Sequence, residues 1–168
     1  DVTKYNATTV SPTHSIAQMF QHTRPVTSAV FTPDGRFIIS VTRDGTIVIS
    51  DRTGEEVKRR ENAFSSSLAT DGKIIVSCDH HASAVKVWNM DRERQQSLEG
   101  SSGGCVWSVA ISPDATLIAT GAYSDQVKLW LKGEERFANP KTLEDHDYCV
   151  FAVVFSPNGL LFATSGWN

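Results

Sequence analysis

"VWSVAISPDATLIATGAYSDQVKLW", residues 106–130, places two apolar runs on either side of a turn and ends in a tryptophan. Both runs have the length and the branched, apolar side chains that favour β-strands. Between them, Pro113 fixes its own φ and Asp114 supplies a turn-forming side chain. The stretch therefore predicts a strand, a tight turn, a second strand and a third strand that ends at Trp130.

The same pattern recurs along the chain. Turns of related sequence are TPDG at 32–35, ATDG at 69–72, SPDA at 112–115 and SPNG at 156–159. The strands that close the first three units end at Ser50, Trp88 and Trp130. Both marks recur at intervals of about 40 residues, which is typical of the blade repeat of a β-propeller. Because the two marks keep step with each other, they indicate a true repeat.

Each unit is predicted to contain four short strands. The inner strands are apolar, while an outer strand such as EEVKRRE at 55–61 is polar and suits an edge that faces water. The prediction is an all-β fold of β-propeller blades with four antiparallel strands. The chain holds about three and a half blades, as a partial propeller or one closed by another chain. The predicted divisions are a polar N-terminal tail at 1–15, a closing outer strand at 16–21, and blades at 22–61, 62–99, 100–145 and, incomplete, 146–168.

These motifs resemble the WD-repeat (WD40) family over about residues 16–168. The segment beginning GGCVWSVAISPD at 103 is similar to repeats of fungal STAND-type NTPases. In WD repeats a His, a Ser or Thr, an Asp and the closing Trp form a buried hydrogen-bonded tetrad. The resemblance assigns this structural role to His22, Ser40, Asp44, Trp88, Thr120, Trp130, His146 and Thr164. No copy is complete, and Ser50 replaces the Trp of the first copy.

Charge and composition bound the partners and the compartment. With a net charge of −3, the chain lacks the clustered basic residues that a nucleic-acid-binding surface needs. No apolar stretch is long enough to span a membrane, so no membrane partner is expected. An odd number of cysteines, three, favours free thiols in a reducing compartment. The prediction is an intracellular protein, cytoplasmic or nuclear.

Three features of the sequence are weak indications of a metal site, a phosphate-binding loop or a catalytic cysteine. Residues 77–81, SCDHH, contain metal-ligand residue types, but no second ligand pair stands at zinc-like spacing. The glycine-rich EGSSGG at 99–104 lacks the lysine of a phosphate-binding loop and leads into a strand. Cys105 and Cys149 occupy equivalent positions, but a cysteine nucleophile needs a nearby base, and His146 is assigned to the tetrad. We therefore expect no catalytic residue, no metal and no cofactor.

Two sets of variable positions point to a binding face. When the repeats are aligned on their turns, the first set is the second residue of the first strand in each repeat. The second set is the residue just before the Asp position of the tetrad in each repeat. The resemblance places both sets on the top face of the propeller, around the central channel, where proteins and peptides dock. Aromatic and arginine side chains are frequent anchors of interfaces. An alternative is that Phe64, Trp107 and Phe151 pack between blades. The predicted partner-binding residues are Thr27, Arg43, Phe64, His81, Trp107, Tyr123, Phe151 and Trp167.

The leading functional prediction is a non-catalytic scaffold that binds protein or peptide partners through this top face. The alternative is a sensor or autoregulatory region of a larger STAND-type signalling NTPase, with the catalytic module outside this chain. Further blades, from the same parent protein or a second chain, are also potential partners. An enzymatic propeller would need converging acid, base or metal-binding groups in the channel, and the sequence offers none.

Overall fold

The structure is a computed structural model. It describes residues 5–8, 16–20, 22–63, 66–78, 81, 83–92, 95–99, 104–144 and 146–167. Every strand pairing in these ranges is antiparallel. Within the same ranges, no helical segment has the length and hydropathy of a membrane span.

Three sheets of four strands follow one another along the chain. Blade 1 contains β3 (Val26–Phe31), β4 (Phe37–Thr42), β5 (Ile47–Asp51) and β6 (Glu56–Arg60). Blade 2 contains β7 (Ser67–Thr70), β8 (Ile74–Cys78), β9 (Ala84–Asn89) and β10 (Gln95–Glu99). Blade 3 contains β11 (Val106–Ile111), β12 (Leu117–Ala122), β13 (Val127–Lys132) and β14 (Phe137–Leu143). The prediction of an all-β fold with four-stranded antiparallel blades is confirmed.

Two sheets of two strands complete the described structure. Blade 4 contains β15 (Val150–Phe155) and β16 (Phe162–Gly166). The other sheet pairs β1 (Tyr5–Thr8) with β2 (Ile16–Phe20). Thus β2 falls on the predicted closing outer strand, whereas β1 lies inside the segment expected to be a polar tail. The backbone of β1 hydrogen-bonds along β2, a partner that the polar sequence of the tail did not reveal.

The core lies between successive blades rather than inside any one of them. Ile39 and Ile49 of blade 1 pack with Leu68 and Trp88 of blade 2. Equivalent apolar clusters join blade 2 to blade 3 and blade 3 to blade 4. The first strands of blades 2 and 3, β7 and β11, each lie between two neighbouring sheets, which agrees with their apolar sequence. In the described part of the chain, the first strands of blades 1 and 4 pack against a neighbouring sheet on one side only, and Phe31 and Val154 are exposed.

The recurring turn owes its sequence to a hydrogen bond inside it. Ser112 Oγ donates to Asp114 Oδ1 (2.6 Å), and Thr32 Oγ1 donates to Asp34 Oδ1 (2.6 Å). In blade 4 the acceptor is the neutral Asn158 (2.7 Å). The hydroxyl, the proline and the Asp or Asn are therefore all parts of one turn structure.

Replacing Asp114 with asparagine is expected to destabilise the chain at pH 7 and to lose that effect in acid. Hydrogen bonds, first from Ser112 and then from Thr116, lower the pKa of Asp114. Because the pKa of this carboxyl is lower in the folded than in the unfolded chain, its ionisation stabilises the fold at pH values above the ordinary pKa of about 3.9. This contribution is lost as the pH falls through the lowered, folded-state pKa. Urea unfolding of wild type and Asp114→Asn at pH 7 and at about pH 2.5 measures the difference.

The chain supplies a matched control for this prediction. Asn158 holds the same turn position in blade 4 without a charge, so Asn158→Asp should add the pH dependence that Asp114→Asn removes. An equal destabilisation by Asp114→Asn at both pH values would contradict the role given to the carboxylate.

Candidate functional site

Three of the predicted partner-binding residues occupy one structural position at the end of the second strand. The backbone N–H of Arg43 donates to Pro25 O (2.8 Å), and that of Tyr123 donates to Cys105 O (2.7 Å). In blade 4, the N–H of Trp167 donates to Cys149 O (3.0 Å). The repeated bond places these side chains beside the start of the first strand.

The second set of positions coincides with a register shift at the start of the first strand. In blades 1, 3 and 4 the pairing skips one residue, which is Thr27, Trp107 and Phe151 respectively. An extra residue of this kind is left out of the ladder and re-aims its side chain. Both predicted sets therefore lie at the same end of the blades.

Three aromatic side chains of the two sets, Trp107, Phe151 and Trp167, form a chain of ring contacts across blades 3 and 4. The ring centroids of Trp107 and Phe151 are 5.8 Å apart with the planes at 85°. Phe151 also contacts Trp167, with centroids 5.4 Å apart and planes at 80°. Edge-to-face pairs of this kind contribute about 0.5–1.5 kcal/mol beyond burial. We call Trp107, Tyr123, Phe151 and Trp167 the aromatic face.

Rings of the aromatic face contact one another across blades 3 and 4, and the tryptophans also remain accessible at the surface. Trp107 is 36% exposed, Tyr123 56% and Trp167 65%. Phe151 is partly buried between the two tryptophans. The two predicted positions in blade 1 are polar: Arg43 is exposed, and Thr27 Oγ1 donates to Val41 O (3.2 Å).

Blade 2 departs from the alignment that the turns suggested. The turn of blade 1 encloses residues 32–37 between the paired Phe31 and Ile38, whereas that of blade 2 encloses only 71–74. Because the turn is two residues shorter, Ser66 and not Phe64 corresponds to Thr27. Phe64 itself lies outside the described residues.

The position of Arg43 is also displaced in blade 2. Counted from Ser77, which corresponds to Ser40 in the ladder, it falls on His80 rather than His81. His80 lies outside the described residues, and His81 is exposed.

The predicted tetrad residues form pairs in the described structure. His22 Nε2 lies 3.1 Å from Ser40 Oγ, and His146 Nε2 lies 2.8 Å from Thr164 Oγ1. Burial, and then the charge of Arg59, lower the pKa of His22. Asp44 accepts a hydrogen bond from Thr42 Oγ1 (2.6 Å) and lies near Arg24 (3.7 Å).

The two tryptophans of the tetrad set differ in their polar contacts. Trp88 Nε1 donates to Ser77 Oγ (3.2 Å), and both residues are buried. Sequence reasoning missed Ser77; its place in the second strand, as the counterpart of Ser40, would have revealed it. Trp130 Nε1 is buried and has no hydrogen-bond partner in the described part of the chain. Thr120 is buried, and its Oγ1 lies 3.5 Å from Lys128 O.

The candidate metal-ligand cluster at 77–81 lies only partly within the described residues. Cys78 is buried, and its thiol lies 3.3 Å from Ser66 Oγ. Asp79 and His80 lie outside the described residues. Among the side chains that the structure describes, no three potential ligands come together.

Comparison with known proteins agrees with the repeated four-stranded blades described above. The family model described as "WD domain, G-beta repeat" matches residues 13–51, 92–130 and 138–168, which is more than half of the chain. The chain belongs to the WD40-repeat family. The longest stretch of this WD40 chain that the model leaves unmatched, 52–91, contains the shortened turn of blade 2.

Relatives of this WD40 chain are longer proteins. It is 30% identical over 155 residues to rat "Apoptotic protease-activating factor 1", covering 88% of this chain and 12% of the relative. It is 33% identical over 180 residues to "Nuclear distribution protein nudF" of Emericella nidulans, covering 90% of this chain and 40% of the relative. The solved structure "Structure of U3-55K" superposes with a TM-score of 0.68 at 21% identity, over 79% of this chain and 43% of that one. The WD40 chain thus spans less than half the length of each.

Proposed function

We propose that this WD40 chain is a non-catalytic scaffold that binds protein or peptide partners through the top face of its blades. The observation that carries the proposal is the aromatic face, in which Trp107, Phe151 and Trp167 touch edge to face while the tryptophans stay accessible. Tryptophan and tyrosine are enriched among residues that dominate binding energy. Rings that already brace one another lose less freedom on binding.

The polar positions of blade 1 extend this binding face. Arg43 corresponds in position to Tyr123 and Trp167, and its guanidinium can reach a carboxylate or carbonyl of a bound chain. We propose that the partner contacts all eight predicted positions or their register equivalents, with the aromatic part supplying most of the affinity. The partner is a protein or peptide, not nucleic acid or membrane, in keeping with the net charge of −3. None of the three cysteines, Cys78, Cys105 and Cys149, is in a disulfide, which is in keeping with an intracellular location, cytoplasmic or nuclear.

Site-specific photo-crosslinking tests this proposal. A photoreactive phenylalanine at Tyr123 should form a crosslink to a partner in cells, and Phe151→Ala should remove that crosslink. The same group at Leu131, which is exposed on β13 away from the aromatic face, is the matched control. Crosslinks at Leu131 that persist in Phe151→Ala, with none at Tyr123, would locate binding elsewhere and refute the proposal.

The second candidate is a sensor or autoregulatory region of a larger STAND-type NTPase, of the kind known from fungi. The similarity to rat "Apoptotic protease-activating factor 1", a STAND-type NTPase of which the aligned part is 12%, favours it. The two candidates share the binding face and differ in what is attached to it. Further blades, supplied by the same protein or by a second chain, would add strands to the two-stranded blade 4 under either candidate.

A further inference from the structure

Blade 1 lacks the ring that the next two blades hold at one position. In the ladders between second and third strands, Ser50 pairs with Ile38, Trp88 with Ile75 and Trp130 with Ile118. The three pairs are equivalent, so Ser50 stands where an indole stands in blades 2 and 3.

The surroundings of those indoles define what the position accepts. Each ring is buried and lies near the side chain two residues earlier, with Lys86 Nζ at 5.8 Å from one ring centroid and Lys128 Nζ at 6.0 Å from the other. In blade 1 the corresponding residue is Val48, which is buried. Nothing bulky therefore takes the place of the lysine or the ring.

A cavity of about 170 Å³ lies at this place. Its lining includes His22, Thr46, Val48, Ser50, Glu56 and Arg59. By volume alone the cavity can be compared with an enclosed apolar cavity of roughly 150 Å³ that accepts a benzene ring, although this one is polar and opens to solvent. The space beside Ser50 is therefore large enough for a small planar ring system.

The side chains that line the cavity determine which kind of ring it can bind. They present hydroxyls, an imidazole, a carboxylate and a guanidinium, which would lose hydrogen bonds against a hydrocarbon. The charges are compensated, since Arg59 Nη2 lies 2.5 Å from Glu56 Oε2 and Arg24 lies beside Asp44. A ligand that carried a net charge would compete with these pairs, whereas a neutral ring with polar edge atoms would not.

We propose that the cavity beside Ser50 is a binding site for a neutral heteroaromatic ring of about the size of an indole. Such a ring lies over Val48, as the indoles of blades 2 and 3 lie near Lys86 and Lys128, and exchanges hydrogen bonds with the polar walls. The site is on blade 1 and is separate from the aromatic face on blades 3 and 4.

Titration with indole tests the proposal on the full chain. Amide signals of Val48 and Ser50 in ¹⁵N-labelled protein should shift in a saturable way. Ser50→Trp should weaken indole binding at least tenfold, because the added side chain fills the cavity. If that variant fails to fold, Ser50→Leu fills part of the same space and should weaken binding as well. Phe151→Ala should leave indole binding unchanged, which separates this site from the aromatic face.

Three results would overturn the proposal. One is the absence of saturable shifts at Val48 and Ser50. Another is unchanged indole affinity in the folded Ser50→Trp or Ser50→Leu variant. The third is benzene binding as tightly as indole, since this would show that the polar walls do not select the ring.

Discussion

Replacing Trp130 with alanine is expected to cost about 3–5 kcal/mol of unfolding free energy. The side chain is 6% exposed and packs between blades 2 and 3 with Val76, Val85 and Val109. Truncation removes the apolar contacts of a large ring and leaves a cavity that the two sheets could close only by moving towards each other and disturbing their other contacts. For a domain of this size the melting temperature should fall by about 6–20 °C. Urea unfolding gives the free energy directly, and calorimetry gives the temperature.

Trp130→Phe is the matched control because it keeps an aromatic ring in the same space. Trp130 Nε1 has no hydrogen-bond partner in the described residues, so this exchange removes no such bond there. In blade 2 the same exchange at Trp88 also removes the hydrogen bond to Ser77, and it should cost more than Trp130→Phe. A loss below about 1 kcal/mol for Trp130→Ala would show that the ring is not part of the core between blades.

The architecture could be predicted from sequence because its markers are local. The turn sequence of blades 1, 3 and 4 contains two residues, two positions apart, that hydrogen-bond to each other, such as Ser112 and Asp114. The closing tryptophans of blades 2 and 3 are buried against the preceding sheet. Features set by so few neighbouring residues leave a readable pattern in the chain.

Blade 2 was misaligned because its turn is shorter. An alignment anchored on the turn assigns Phe64 to the binding set, and the ladder replaces it with Ser66. The second strand keeps its spacing from the turn, so Ser77, whose hydroxyl accepts the indole N–H of Trp88, stands at the position of Ser40 in either alignment. Register is decided by hydrogen bonds between strands, which a single sequence does not display.

The composition of the aromatic face followed from repeat positions, but its geometry did not. The positions of Trp107, Phe151 and Trp167 could be listed from the sequence. Their contact depends on the twist between blades 3 and 4 and on the register shift that turns the side chains outward. The cavity at Ser50 likewise depends on whether neighbouring side chains collapse into the space, which is a property of the folded core.

Replacing Trp107 with alanine is expected to weaken partner binding by about 2 kcal/mol or more, which is about a thirtyfold loss of affinity. The ring is 36% exposed and supports Phe151 edge to face, so truncation removes an anchor and loosens its neighbour. The cost to folding should be much smaller than that of Trp130→Ala, because part of the ring already faces water. Thr27 occupies the equivalent position of blade 1, so the fold accepts a small polar side chain there.

The comparison that decides this prediction uses five proteins: wild type, Trp107→Ala, Phe151→Ala, Trp130→Phe and Trp130→Ala. Partner affinity, measured with the protein that photo-crosslinking identifies, should fall in the two aromatic-face variants and remain near the wild-type value in Trp130→Phe. Melting temperatures recorded on the same samples show whether lost affinity reflects lost folding. If Trp107→Ala destabilises the chain as severely as Trp130→Ala does, Trp107 belongs to the core and the aromatic face loses its main anchor. If Trp107→Ala melts near wild type and binds normally, the partner docks on another surface.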